Sequence, residues 1–279
     1  MVHGGSKSSG GLKAGEVVQE TKDIVLKNPV ILLLFLLLGI FDFLNLTVLF
    51  FAHSFPFSKV LAPIIRRLWG DRFLHYPDNL FLLPKLFGYA HIVLLTTFGL
   101  FITAIVIKLI EAHVNGSQSN SSLDAAGIAL KKYIGMAIVW VASFFALRFI
   151  GQWITAQIGH AVIIQVLLFW LVFLIFQSLI AFLFPALVLA PKGFFKPIAE
   201  GLLASIKHLF LLLKLLFIPV GISVGMSFAK AFAPAYIQVN PEIILVVMFV
   251  SVLVSTAVDL YITTVSAVSF LKVGTQKNV

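Results

Sequence analysis

Six stretches of this chain are each apolar enough to cross a lipid bilayer, and long enough, since a spanning helix takes about 20 mostly apolar residues. They cover residues 29–51, 86–110, 133–154, 161–189, 202–228 and 243–271. No other feature constrains the fold as tightly. Hydrocarbon offers no partner to a peptide N–H or C=O, so a spanning segment closes its own hydrogen bonds as a helix or joins a closed barrel. Barrel strands alternate apolar and polar residues, whereas these runs are continuously apolar. The expected fold is therefore all-α: a polytopic membrane helical bundle of about six transmembrane helices. Residues 1–28 are expected to form a cytoplasmic tail, 29–272 the transmembrane domain, and 273–279 a second cytoplasmic tail.

Composition agrees. A soluble domain carries about 25% charged residues; here 11% are charged and 60% hydrophobic, with a mean hydropathy of +1.07. Such a chain cannot cover itself with a hydrated surface. Its net charge of +9 would, in a soluble protein, raise nucleic-acid binding. Here the lysines and arginines gather between the apolar runs, which suits cytoplasmic loops and anionic lipid headgroups, and no nucleic-acid partner is expected. The chain has no cysteine, which excludes disulfides, thiolate catalysis and cysteine-held metals.

The N-terminal residues are Gly/Ser-rich and then mixed in charge, with no apolar core and cleavage site, so no cleavable signal peptide is expected. Residues 15–27 alternate charge with Val17, Val18, Ile24, Val25 and Leu26, a pattern that suits a short helix on the membrane surface.

The distribution of lysine and arginine sets the expected orientation. With the N-terminus inside, Lys7, Lys13, Lys22, Lys27, Lys108, Lys131, Lys132, Lys192, Lys196, Lys207, Lys272 and Lys277 are cytoplasmic, as are both termini. The exception is the first external loop, 53–84, which holds Lys59, Arg66, Arg67 and Arg72. Within it, Ile64, Ile65, Leu68 and Trp69 recur at helical spacing after Pro63, a residue favoured in the first turn of a helix. The expectation is an interfacial helix over 63–74, with Trp69 at headgroup depth and arginines on phosphates. The polar cluster of this loop comprises Arg66, Arg67, Asp71, Arg72, His75 and Asp78. Its structural reading is a turn re-entering the membrane, capped by Asp78 or Asn79; its functional reading is a headgroup, partner or substrate site.

Motifs for catalysis are absent. There is no Gly-rich phosphate loop with Lys-Ser/Thr and no His-Glu-x-x-His. The seven histidines are scattered, and the one conceivable metal set assembled across loops is His53, His75 and Asp78. No catalytic residue, metal or cofactor is expected.

An ionisable side chain inside a bilayer is costly and needs a partner or a cavity. Asp42, Arg148, Lys214 and Asp259 lie within the apolar windows, at depths that suggest the ion pairs Asp42–Arg148 and Asp259–Lys214. On the last span Ser251, Ser255, Asp259 and Thr263 follow at four-residue steps and share a face. On the first, Gly39, Asp42 and Asn45 do so at three-residue steps, and Gly221 and Gly225 would let the fifth span approach a neighbour closely.

The stretch Phe182-Leu-Phe-Pro-Ala-Leu-Val-Leu-Ala-Pro, followed by Gly201-Leu-Leu-Ala-Ser-Ile-Lys-His, resembles a pattern in bacterial six-span inner-membrane proteins related to the membrane domain of glycerophosphoryl diester phosphodiesterases. The resemblance implies a multi-pass module of the bacterial inner membrane and no activity, since the phosphodiesterase catalytic domain has no counterpart here. The first expectation for function is a non-enzymatic scaffold or assembly factor, resting on absent motifs and balanced buried charge. The alternative is a transporter, channel or lipid-handling protein that uses the polar stripes. The expected partners are the lipid bilayer, anionic lipid headgroups and other membrane proteins.

Overall fold

A computed structural model describes residues 12–116, 122–158, 162–191, 193–232, 235 and 240–275. Among them the chain is all-helical. The helices are α1 (Ala14–Lys27), α2 (Pro29–Phe50), α3 (Ser58–Leu68), α4 (Asp78–Leu94), α5 (Leu100–Val114) and α6 (Ser122–Ile158). They continue as α7 (Val162–Ile180), α8 (Leu183–Leu189), α9 (Phe195–Lys207), α10 (Leu209–Ala231) and α11 (Ile243–Thr275). Six helices are long and apolar enough to cross a membrane: Pro29–Phe50, Asp78–Val114, Asp124–Gln157, Ile164–Leu189, Leu209–Ala231 and Ile243–Gly274.

Burial follows sequence. The α5 run Leu-Phe-Ile-Thr-Ala-Ile-Val-Ile is apolar on every side, and Ile102, Ala104, Ile105, Val106 and Ile107 are all buried. It packs between α6 and α11, while α11 also packs on α2 and α10, so these two helices form the centre of the bundle. The outward positions are apolar too: Leu33, Ile40, Phe145, Phe149, Phe210 and Ile218 are all exposed. An apolar surface of that extent is stable only against lipid.

The helix expected over 15–27 forms, but it docks on protein. Val17, Thr21 and Ile24 make a buried stripe that joins Val265 and Val268 of α11 in the largest apolar cluster. Glu20 forms an ion pair with Lys272 at the end of α11, and Asn28 donates from Nδ2 to His113 Nδ1 at 3.0 Å. Lys108 pairs with Glu111, and Lys132 donates to the Ala190 carbonyl at 2.7 Å.

Several boundaries differ from expectation: α4 starts eight residues before the window 86–110, and α6 eleven before the window 133–154. The window 161–189 breaks between α7 and α8, and the window 202–228 begins seven residues later, at Leu209, because Phe195–Lys207 is a helix of its own. Two contacts hold α9 on α8 beside these breaks. A Cβ on Gly201 would stand 2.9 Å from Ala186 Cβ and 2.9 Å from the Phe182 carbonyl, so only glycine lets α9 lie this close to α8. One turn on, the buried Ser205 Oγ accepts a hydrogen bond from the Phe182 N–H at 3.3 Å. The two segments carrying the family resemblance are thus packed on each other.

Candidate functional site

The site begins with a close approach of α2 and α11. A Cβ on Gly39 would meet Thr256 Oγ1 at 2.9 Å and Cγ2 at 3.3 Å, so glycine lets the two helices touch here. Each helix carries an acid three residues beyond this contact: Asp42 on α2 and Asp259 on α11. The first and sixth spans run in opposite directions, so the acids lie to either side of the contact, each displaced about 4.5 Å along the axis.

α4 supplies the base. His91 Nδ1 stands 2.7 Å from Asp42 Oδ1, and Asp42 is 2% exposed. The His91 ring stacks on Phe87, one turn earlier, at 5.7 Å between centroids and 19° between planes, which fixes its plane. With Asp42 ionised, Nδ1–H donates to the carboxylate, and Nε2 is left to accept a proton. Among the described residues nothing hydrogen-bonds to Nε2. Asp259 is half-buried and within electrostatic range of both His91 and Asp42. Lys230, at the end of α10 and half-buried, is within range of Asp42. These four groups make up the charge of the centre.

One turn after His91 the helix widens: Leu95–Gly99 is a π-helical turn joining α4 to α5. Thr96 and Thr97 return their hydroxyls to the Ile92 and Val93 carbonyls, and Tyr133 of α6 donates its hydroxyl to the Thr96 carbonyl at 2.8 Å. Such turns recur next to functional side chains because they free backbone groups and re-aim residues.

The ion pairs Asp42–Arg148 and Asp259–Lys214 do not form. Arg148 and Lys214 are both exposed on the outside of the bundle, and among the described residues neither has a carboxylate within ion-pair distance. The physical reason is the side each residue occupies: both lie on the outward faces of their helices. α10 starts at Leu209, so Lys214 sits five residues from the start of its helix, where a long side chain carries its charge to the headgroups. The base that does meet Asp42, His91, lies five residues inside the window 86–110. A histidine within an apolar run was the available signal, and it passes unnoticed when only Asp, Glu, Lys and Arg are screened.

The stripe on α11 is present, with Ser251 buried and Ser255, Asp259 and Thr263 half-buried. Ser255 returns its hydroxyl to the Val252 carbonyl at 3.0 Å, and Thr256 does the same at 2.9 Å, so these hydroxyls are satisfied within the helix. Gly221 accommodates Trp170 of α7, which would stand 3.3 Å from a Cβ, whereas a Cβ on Gly225 would meet open space.

In the loop 53–84 the helix forms as Ser58–Leu68 with Pro63 in its interior, followed by a 3₁₀ turn over Asp71–Leu74. The start is five residues earlier than Pro63 suggests. Arg66 Nε binds Asp71 at 2.7 Å, His75 stands 3.6 Å from the same carboxylate, and Arg67 and Arg72 are exposed. The Arg66 guanidinium, through its hydrogen bond and its charge, holds the Asp71 carboxyl below the usual carboxylate range. Asp78 opens α4 with no side-chain cap, contrary to expectation, and Pro77 takes the cap position. Among the described residues no three His, Asp or Glu side chains converge to hold a metal ion, so His53, His75 and Asp78 do not form a ligand set.

The site therefore defines a class no narrower than this: a helical multi-pass membrane protein with an acid–imidazole centre inside the bundle. Comparison with protein-family models, with curated proteins and with solved structures found no match.

Proposed function

We propose that this protein is a membrane transporter whose working element is a proton-binding centre made of Asp42, His91 and Asp259. The observation that carries this reading is the 2.7 Å contact of Asp42 with His91 inside an apolar bundle, with a second acid in electrostatic range. The argument for a scaffold rested on two acids cancelled by two strong bases. With Arg148 and Lys214 facing outward, the acids are answered by a histidine and by Lys230 at the helix end. Histidine is the side chain whose ordinary charge change falls at about pH 5 to 8. Protonation at Nε2 changes the charge between α2, α4 and α11, and the adjoining π turn is a place where α4 and α5 can pivot.

The test is proton flux. The full chain is reconstituted in liposomes with a trapped pH dye, and a pH gradient is imposed with the membrane potential clamped. The reading expects flux above that of empty liposomes, lost in His91→Gln and in Asp259→Asn and retained in Arg148→Gln. Flux equal in wild type and His91→Gln would overturn it.

A second reading, a non-enzymatic scaffold or assembly factor, is favoured by one observation. An apolar groove of about 400 Å³ runs between α2 and α11, lined by Phe35, Gly39, Phe43, Phe249, Thr256 and Ala257. Small residues at such a groove suit a partner's transmembrane helix. Purification in mild detergent with a stoichiometric membrane partner, lost on Ala257→Phe, would support it. We further propose the bacterial inner membrane as location, with both termini cytoplasmic, on the strength of the lysine distribution and the resemblance above.

A further inference from the structure

The external loop breaks the charge rule that the rest of the chain obeys, and α3 offers a reason. Side chains along a helix advance by about 100° per residue, and on that wheel α3 divides into three arcs. The first holds Leu61, Ile65 and Trp69, which pack with Ala52, Leu74 and Leu82. The second holds Val60, Ile64 and Leu68, which are 66%, 49% and 62% exposed. The third holds Lys59, Arg66 and Arg67, all exposed. Each arc is centred about 120° from the next, which is what a helix needs when protein lies on one side, hydrocarbon below and water above.

Depth agrees. The cluster that seats α3 includes Leu82 and Leu86, four and eight residues into α4. At 1.5 Å per residue those are about 6 and 12 Å below its outer end, the depth at which an interfacial helix buries its apolar face. Charge agrees as well. Arg66 is occupied by Asp71, which leaves Lys59, Arg67 and Arg72 without a carboxylate among the described residues. Lys59 Nζ lies over the Phe55 ring at 5.0 Å and the Arg72 guanidinium carbon over the Phe73 ring at 4.6 Å, cation–π contacts that seat the charged heads of two exposed residues of this loop.

We propose that α3 and the 3₁₀ turn after it form a binding site for anionic phospholipid on the outer membrane face. Val60, Ile64 and Leu68 enter the acyl boundary, and Arg67, Arg72 and Lys59 bind the headgroup phosphates. The site is separate from the Asp42–His91 centre and stands whether or not that centre moves protons.

The test uses the full chain, which has no native cysteine, in vesicles of phosphatidylcholine with or without phosphatidylglycerol. Single nitroxide labels at Val60→Cys and Ile64→Cys are expected to collide more with oxygen than with a water-soluble nickel chelate, and labels at Lys59→Cys and Arg66→Cys the reverse. Nickel access on both arcs would overturn the proposal, and would point to a face kept for a soluble partner. In the second arm, spin-labelled phosphatidylglycerol competes with phosphatidylcholine for the protein. The Lys59→Gln, Arg67→Gln, Arg72→Gln variant is expected to lose about five-fold or more of the preference for phosphatidylglycerol. An unchanged preference in a folded variant, or no preference in the wild type, would also overturn it.

Discussion

Asp42 Oδ1 and His91 Nδ1 stand 2.7 Å apart between α2 and α4, with the carboxylate almost wholly shielded from solvent. Breaking a buried pair by removing one partner costs about 3–5 kcal/mol, because the other group is left uncompensated, while replacing both by apolar residues is often neutral. His91→Leu alone should therefore lower the thermal midpoint of the detergent-solubilised protein sharply. Asp42→Leu with His91→Leu should recover most of it. A double variant no more stable than the single one would show that the contact is not what holds the two groups.

The Gly39–Thr256 approach predicts a compensating pair. Gly39→Ala places a methyl group 2.9 Å from Thr256 Oγ1, forcing α2 and α11 apart. Overpacking of this kind costs about 1–3 kcal/mol. Thr256→Ala removes both atoms that the methyl would meet, so Gly39→Ala with Thr256→Ala should melt nearer the wild type than Gly39→Ala alone. Differential scanning fluorimetry in one detergent reads the comparison.

Gly201 predicts the opposite behaviour. Its added Cβ would meet the Phe182 backbone carbonyl as well as Ala186 Cβ. Backbone cannot turn aside, so Gly201→Ala should cost about 1–3 kcal/mol, with Ala186→Gly restoring only part. Full recovery in the double variant would mean that the carbonyl contact is relaxed in solution.

Orientation is testable in intact cells. Single cysteines at exposed Asn115 and His75 should differ in labelling by an impermeant maleimide, with His75→Cys labelled and Asn115→Cys protected until the membrane is opened. Equal labelling would contradict the alternating arrangement of the first three spans.

What could be read from the sequence follows from how each feature is encoded. A span is encoded by length and composition together, and all six were legible. The breaks at Ala181–Phe182 and His208 were not, because both sit in apolar surroundings and are held by tertiary contacts, Gly201 against Phe182 and Ser205 to the Phe182 N–H. The acids Asp42 and Asp259 stood out as charges in hydrocarbon, but their partners did not. Depth does not say which face a residue occupies, so Arg148 and Lys214 were matched to acids from which they turn away, and His91, counted as uncharged at pH 7, carried no warning charge. The π turn after it leaves no mark beyond Thr96-Thr97 and Gly99, residues with many other uses.

The central claim is that the Asp42–His91–Asp259 centre binds and releases protons, and infrared difference spectroscopy tests it most directly. The lipid-embedded protein is titrated between about pH 5 and 8, where histidine ordinarily changes charge, and the carboxyl C=O stretch and imidazole ring modes are followed. The account predicts a reversible carboxyl or imidazole signal that is removed or shifted by Asp42→Asn, His91→Gln and Asp259→Asn, and untouched by Arg148→Gln and Lys214→Gln. A wild-type spectrum without such a signal, or one that all three centre variants leave unchanged, would contradict it.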